Sequence, residues 1–154
     1  MNWLSRKQHE NPGSGRRILV AFSDGRLDQV VLDAALRIAR AEDATIVPAY
    51  LIVVPLSYPI DSPMHDQVEA ALPALEDVEN QATRANISVD ARMERGRSLR
   101  DALKQLWSVE QFDRIILPAS TNGTRGFDEH DLAWALTHAP TEMVVLRPSP
   151  EAPE

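Results

Sequence analysis

Apolar positions along this chain fall into two kinds of segment that alternate. Continuous apolar runs, typical of strands buried on both faces, occur at Arg17–Phe22, Thr45–Val54 and Ile115–Leu117, and a shorter run lies at Glu142–Leu146. Ser88–Arg95 instead alternates apolar with polar residues, which predicts a half-exposed strand at the edge of a sheet. The pattern therefore predicts five strands.

Between the strands, apolar residues recur at helical spacing. The predicted helices are Asp28–Glu42, Asp66–Arg84, Ser98–Val109 and Asp128–His138. Asp28 and Ser98 are predicted N-caps, because a short polar side chain can accept hydrogen bonds from the free backbone N–H groups of a first turn.

Two prolines fall within these elements. Pro48 removes a backbone donor from the second strand, so we expect a bulge or an exposed edge near the start of that strand. Pro73 is expected near the start of the Asp66–Arg84 helix or at a kink in it.

Strands and helices that alternate in this way predict an α/β fold. Right-handed crossovers give a five-stranded parallel sheet of order 3-2-1-4-5 with helices on both faces. The strand order reverses between strands one and four, where ligands bind in open sheets of this kind. We expect the loops Ser23–Asp28 and Ala119–Gly126 to face each other across that crevice.

Composition narrows the class of protein. The chain has 154 residues, of which 44% are apolar, as expected for one soluble domain over residues 16–148 between a flexible leader, 1–15, and a tail, 149–154. It has no cysteine, which excludes disulfides, thiolate metal sites and cysteine catalysis. The net charge of -7 argues against a nucleic-acid partner. The longest apolar run, Ala44–Leu56, is too short to span a bilayer, so we expect no membrane contact and a cytoplasmic protein.

Four stretches resemble the universal stress protein family, over roughly residues 16–148. They read I-L-V-A-F-S-D-G-R, R-M-E-R-G-R-S-L-R-D-A-L, F-D-R-I-I-L-P-A-S and H-A-P-T-E-M-V-V-L-R-P, in the family's order. The resemblance implies a Rossmann-like fold of the adenine-nucleotide alpha-hydrolase type, cytoplasmic residence and a role in stress survival. It also implies a homodimer paired through the last strands, here Met143–Leu146. Members of the family divide into those that bind ATP and those that do not.

The ATP-binding members carry an aspartate after strand one and a glycine motif after strand four, G-x-x-G, nine residues, then G-S or G-T. Here Ser23 stands at the aspartate position and Asp24 lies one residue late. Taking Gly123 and Gly126 as the G-x-x-G pair places Leu136-Thr137 at G-S and leaves no room for the closing helix. Counting back from H-A-P keeps that helix whole but places Glu129-His130 at G-S and Ala119 at the first glycine. Both alignments break the motif, so we regard its ATP-binding motif as degenerate.

The primary hypothesis is therefore a non-catalytic domain without a cofactor, which acts through dimerisation, an unidentified protein partner or occluded regulation. The alternative is an adenine-nucleotide-binding protein, for ATP or AMP, with altered contacts. Its candidate binding residues are Ser23, Val53, Ala119, Ser120, Gly123, Arg125 and Gly126. In that case Arg125 supplies the cation of a residual anion cradle; otherwise the glycines serve surface turns.

Other candidate chemistry is weak. His130 and Asp131 stand at consecutive helix positions, which do not converge on a metal. Ser120 with His130 lacks the strand–turn–helix motif that exposes a hydrolase nucleophile. Trp107 and Trp134 lie on predicted helices and are expected to be packing or interface residues.

Overall fold

A computed structural model describes residues 15–120 and 126–148. The elements in chain order are β1 Arg17–Phe22, α1 Gln29–Ala41, β2 Thr45–Val53, α2 His65–Arg84, β3 Arg92–Gly96, α3 Leu99–Val109, β4 Arg114–Pro118, α4 Glu129–His138 and β5 Met143–Leu146. Apart from Gly15, the leader and tail predicted at 1–15 and 149–154 lie outside the described residues.

The sheet has the order β3-β2-β1-β4-β5, and every neighbouring pair is parallel, which confirms the predicted topology. β1 lies at the centre, where Val20 pairs with Pro48 of β2 on one side and with Ile116 of β4 on the other. The first two helices pack on one face and the last two on the opposite face. The reversal of strand order falls between β1 and β4, as predicted.

The apolar run of β1 is buried because both of its faces are covered. Ile18, Val20 and Phe22 pack toward the cluster formed with α1 and α2. Leu19 and Ala21 pack toward the cluster formed with α3 and α4. This alternation explains why a central parallel strand reads as continuously apolar.

Pro48 does not produce the bulge or exposed edge expected of it. The register runs unbroken from Ile46 opposite Val89 to Ala49 opposite Arg92, so no extra residue is inserted. Ile46 donates to the Ser88 carbonyl and accepts from the Asp90 amide, each at 2.9 Å, so the next donor toward β3 in this alternation falls on Pro48. Pro48 has no N–H, and the ladder is interrupted at that position. β3 consequently begins at Arg92 rather than at the predicted Ser88, although its edge position is confirmed.

Pro73 lies well inside α2 rather than near its start, and the helix continues past it to Arg84. The loss of its N–H leaves the carbonyl of Glu69, four residues earlier, without its usual helical donor. The buried face of α2, which includes Ala71, Ala74 and Leu75, compensates for that loss through its contacts with the sheet.

Both predicted N-caps are confirmed. Asp28 Oδ1 accepts from the Val30 amide at 2.9 Å, and Ser98 Oγ accepts from the Asp101 amide at 3.1 Å. The two tryptophans pack on each other, with the rings of Trp107 and Trp134 stacked at 5.5 Å between centroids.

Ion pairs tie together the amino ends of the strands, at the opposite edge of the sheet from the crevice. Arg17 of β1 contacts Asp90 at 2.5 Å and also pairs with Glu110, and Arg92 of β3 contacts the same two acids. Glu42 accepts from Arg16 and from Arg114, each at 2.8 Å. Charged side chains thus link strands that are distant in sequence.

Candidate functional site

A crevice of about 630 Å³ opens at the carboxyl ends of β1 and β2. Its walls include Ser23 and Asp24 after β1, Tyr50 and Val53 on β2, and Asp66 and Gln67 in the first turn of α2. Of the predicted binding residues, Ser23 and Val53 are therefore brought to one crevice. Ala119, Ser120 and Gly126 are not among the residues that line it, and Gly123 and Arg125 lie outside the described residues.

The loop after β1 is fixed against β2. The Gly25 amide donates to the Tyr50 hydroxyl at 2.9 Å, and the Tyr50 ring meets Phe22 edge-on with centroids 5.4 Å apart. Asp24 and Gly25 both adopt positive φ, at 61° and 93°, which turns the chain sharply after Ser23. This turn places Ser23 and Asp24 at the crevice.

The most specific contact in the crevice joins Val53 to Gln67. The Val53 amide donates to Gln67 Oε1 at 3.2 Å, and Gln67 Nε2 donates to the Val53 carbonyl at 2.9 Å. β1 pairs with β2 only as far as Tyr50, so the main chain of Val53 extends beyond the end of its neighbour. The side-chain carboxamide of Gln67 supplies the hydrogen bonds that a longer β1 would have supplied.

Gln67 is a residue that sequence reasoning missed. It lies 14 residues from Val53, and a polar residue in the first turn of a helix carries no distinguishing signal. Only the packing of α2 onto β2 brings its carboxamide to the end of the strand.

Backbone hydrogen bonds fix the described ends of the loop after β4. The Ser120 amide donates to the Phe127 carbonyl at 2.7 Å, and the Ala119 amide donates to the Leu146 carbonyl at 2.8 Å. Gly126 adopts φ 137°, and a Cβ added there would lie 2.7 Å from the Pro118 carbonyl oxygen. The tight return of the chain therefore accounts for this glycine without a ligand.

The amino terminus of α4 carries negative charge. Asp128 caps it by accepting from the Asp131 amide at 2.8 Å, and Glu129 and Asp131 both lie in the first turn. Arg100 of α3 pairs with Asp131 at 2.7 Å. Glu129 and His130, predicted to stand at the positions of the G-S pair, are the first two residues of this helix.

The crevice carries negative charge, as the amino terminus of α4 does. Its described lining includes two carboxylates, Asp24 and Asp66, and no lysine or arginine. In the part of the chain that the structure describes, no group of three or more histidine, aspartate or glutamate side chains converges as a metal site requires. No helix within residues 15–120 and 126–148 is both long and apolar enough to cross a membrane.

Fold and crevice together define an open, doubly wound α/β protein with a crevice at the carboxyl end of its parallel sheet. A profile of the universal stress protein family matches residues 15–147. The chain belongs to the universal stress protein family. Among curated proteins, no relative matches it significantly.

Solved structures share the fold at low sequence identity. A universal stress protein family member from Burkholderia pseudomallei is 22% identical, with a TM-score of 0.64, over 88% of this chain and 98% of that one. A family protein from Arabidopsis thaliana with AMP bound is 16% identical, with a TM-score of 0.62, over 87% and 92%. A universal stress protein in complex with cAMP is 18% identical, with a TM-score of 0.64, over 87% and 98%.

Proposed function

We propose that this protein is a non-catalytic universal stress protein domain that binds no ATP and acts through dimerisation or contact with a protein partner. The observation that carries the proposal is the acidic amino terminus of α4, where Asp128 is the cap and Glu129 and Asp131 follow. A helix amino terminus attracts phosphate through its free N–H groups and its dipole. Here a carboxylate already occupies that position, and two more would repel an incoming phosphate.

Ala119 and Ser120, at the start of the loop after β4, support the same conclusion. A phosphate cradle needs backbone N–H groups that are free to donate to a ligand. The amides of Ala119 and Ser120 donate instead to carbonyls of the same chain. Ser23, at the position of the family's aspartate, offers a hydroxyl where the ATP-binding members offer a carboxylate, and a charged acceptor makes the stronger hydrogen bond.

The alternative function is adenine-nucleotide binding with altered contacts. It is favoured by Ser23 and Val53, which line one crevice, and by the AMP and cAMP held by two structures of similar fold. Under this alternative, Arg125 supplies the positive charge for the phosphates, and Arg125→Ala weakens binding at least tenfold.

Calorimetry separates the two functions. Titration of the purified chain with millimolar Mg-ATP should release no binding heat, and native protein should carry no nucleotide in a mass spectrum. A stoichiometric ATP heat that Arg125→Ala abolishes would establish the alternative. A stoichiometric heat that survives in Arg125→Ala would contradict both the proposal and the predicted cradle.

Dimerisation is proposed through β5. Within residues 15–120 and 126–148, this strand pairs with β4 alone, and Val145 is 39% exposed. An apolar edge strand of this kind tends to pair with another chain. We place the dimer in the cytoplasm, in keeping with its family and with the absence of cysteine from the sequence.

A further inference from the structure

We propose that Gln67 is a built-in occupant of the crevice, and that an uncharged planar ligand enters only when its carboxamide leaves Val53. The ligand class is defined by the contact itself, namely a planar edge with an acceptor beside an N–H donor, as in a primary carboxamide or an amino-heterocycle. This inference rests on the proposed function, because it takes the crevice to reject phosphate.

The contact is a ligand-like one. An acceptor of the Gln67 carboxamide receives from the Val53 amide at 3.2 Å, and its donor reaches the Val53 carbonyl at 2.9 Å. Both main-chain groups belong to the end of β2, past the last pairing with β1. A free ligand with the same edge must compete with a group that is tethered to the protein and hence present at high effective concentration.

The first turn of α2, which carries Gln67, starts from a strained residue and has no side-chain cap. α2 starts after Met64, which adopts φ 50°, a left-handed conformation that a long unbranched side chain seldom occupies. Met64 makes no side-chain hydrogen bond to the free amides of the first turn. A strained start without a side-chain cap favours local opening of that turn over opening of the helix interior.

The chain immediately before Met64 is fixed. Arg95 donates to the Ser62 carbonyl at 2.5 Å, and Arg97 donates to the carbonyls of Pro55 and Tyr58, each at 2.7 Å. Loop 55–63 is thus held from β3 and the turn that follows it. The movement that frees Gln67 is confined to Met64 and the first turn of α2.

The charge around Val53 selects the ligand. Asp24 and Asp66 line the same crevice as Gln67, and the described lining contains no lysine or arginine. Two carboxylates in the lining of one crevice disfavour a phosphate and tolerate an uncharged or cationic group. The crevice should therefore take a nucleoside-like amino-heterocycle in preference to its phosphorylated form.

Adenosine is a suitable probe, because its heterocycle presents a ring acceptor beside an amino donor. N6,N6-dimethyladenosine retains the ring and lacks the donor.

Gln67→Ala removes the carboxamide. Gln81→Ala, farther along the same helix and bonded to Asp77 and Gln29, is the matched control. Gln67→Glu keeps the side-chain length but sets a carboxylate oxygen against the Val53 carbonyl, so it also opens the contact if the alanine variant fails to fold.

Affinity is measured by calorimetry on the full chain, and the Val53 amide signal in an NMR spectrum reports on the contact. We expect adenosine to bind Gln67→Ala at least tenfold more tightly than the parent or Gln81→Ala, to shift the Val53 signal, and to bind more tightly than AMP. N6,N6-dimethyladenosine should not bind Gln67→Ala more tightly than it binds the parent.

Equal affinity of adenosine for the parent and both Gln67 variants, including no binding to any of them, overturns the inference. So does binding of dimethyladenosine as tight as that of adenosine, or tighter binding of AMP. The proposed function fails separately, through an ATP heat in the parent chain.

Discussion

Asp128 accepts a hydrogen bond from the backbone amide of Asp131, so one acid closes the first turn of α4 and another lies within it. The distance of 2.8 Å is that of a well-formed N-cap. This arrangement stabilises the helix by the same means that a bound phosphate would use. One of the free amides of this helix end therefore has its acceptor without a ligand.

The stability of α4 should depend on that cap. Asp128→Ala is expected to lower the free energy of unfolding by about 1 kcal/mol, because the amide of Asp131 loses its acceptor. Asp128→Asn keeps an acceptor and should cost less than half as much. Urea denaturation followed by circular dichroism measures both, and an equal loss in the two variants would contradict the cap assignment.

Gly126 should not tolerate a side chain. Gly126→Ala combines a left-handed backbone with a Cβ only 2.7 Å from the Pro118 carbonyl oxygen, and we expect a loss of about 3 kcal/mol. Gly15 also has positive φ, but a Cβ there would meet no atom of the described residues within 4 Å. Gly15→Ala therefore isolates the backbone cost, at about 1 kcal/mol. Losses of similar size in the two variants would show that the contact with Pro118 does not matter.

Arg17 should be the most important charged residue at the amino edge of the sheet. Its side chain is 19% exposed and pairs with Asp90 and Glu110. Arg17→Met leaves these acids without that cation and should destabilise the fold by about 2 kcal/mol in thermal or chemical denaturation. Arg17→Lys supplies charge without the planar fork, so it should restore only part of the loss. Full recovery with lysine would show that charge alone matters.

Glu42 should make stability depend on pH. The hydrogen bond from Arg16, with help from Arg114, holds the pKa of Glu42 below the ordinary range of a glutamate. A depressed pKa means that the folded chain binds fewer protons than the unfolded chain. The stabilisation is present above the unfolded pKa and is lost as the pH falls through the folded pKa. Glu42→Gln should therefore cost up to about 1 kcal/mol at pH 7 and almost nothing at strongly acidic pH.

Glu94 provides a control of opposite sign. Burial raises the pKa of the Glu94 carboxyl, although the Arg95 amide partly offsets the effect. Its contribution is favourable at acidic pH and is lost as the pH rises. Chemical denaturation is measured from strongly acidic pH to pH 7. As the pH rises, the free energy of unfolding of Glu94→Gln should increase relative to the parent, while that of Glu42→Gln should decrease relative to the parent. The same trend in both variants would contradict the assignment of cause.

The β5 edge should control assembly. Val145→Lys places a charge on the exposed apolar edge strand, and edge lysines oppose strand pairing. Light scattering should give the parent twice the mass of one chain, which is 17.1 kDa, and the variant a mass near that of one chain. Leu136→Lys, at a residue of α4 that is 61% exposed, is the control and should leave the dimer intact. A parent mass near 17.1 kDa would exclude the proposed dimer.

Much of the fold could be predicted because its signals are local. The continuous run of β1 reflects burial on both faces, and the caps at Asp28 and Ser98 involve residues within one helical turn. The prediction failed at Pro48, where the consequence depends on which neighbouring strand the missing N–H faces. That direction is set by the register with β3, and no local pattern encodes it.

The sequence by itself determined the class of fold and the strand order, which follow from periodicity along the chain and from right-handed crossovers. The replacement of the family's aspartate and glycine pair by Ser23 and Glu129-His130 stays a prediction from the resemblance. Only the tertiary structure decided which side chain binds the main chain of Val53 in the crevice. It placed the carboxamide of Gln67 on the amide and carbonyl of Val53, because α2 packs against β2, and β2 extends beyond the end of β1. A hydrogen bond between segments distant in sequence depends on packing, which composition and spacing do not reveal.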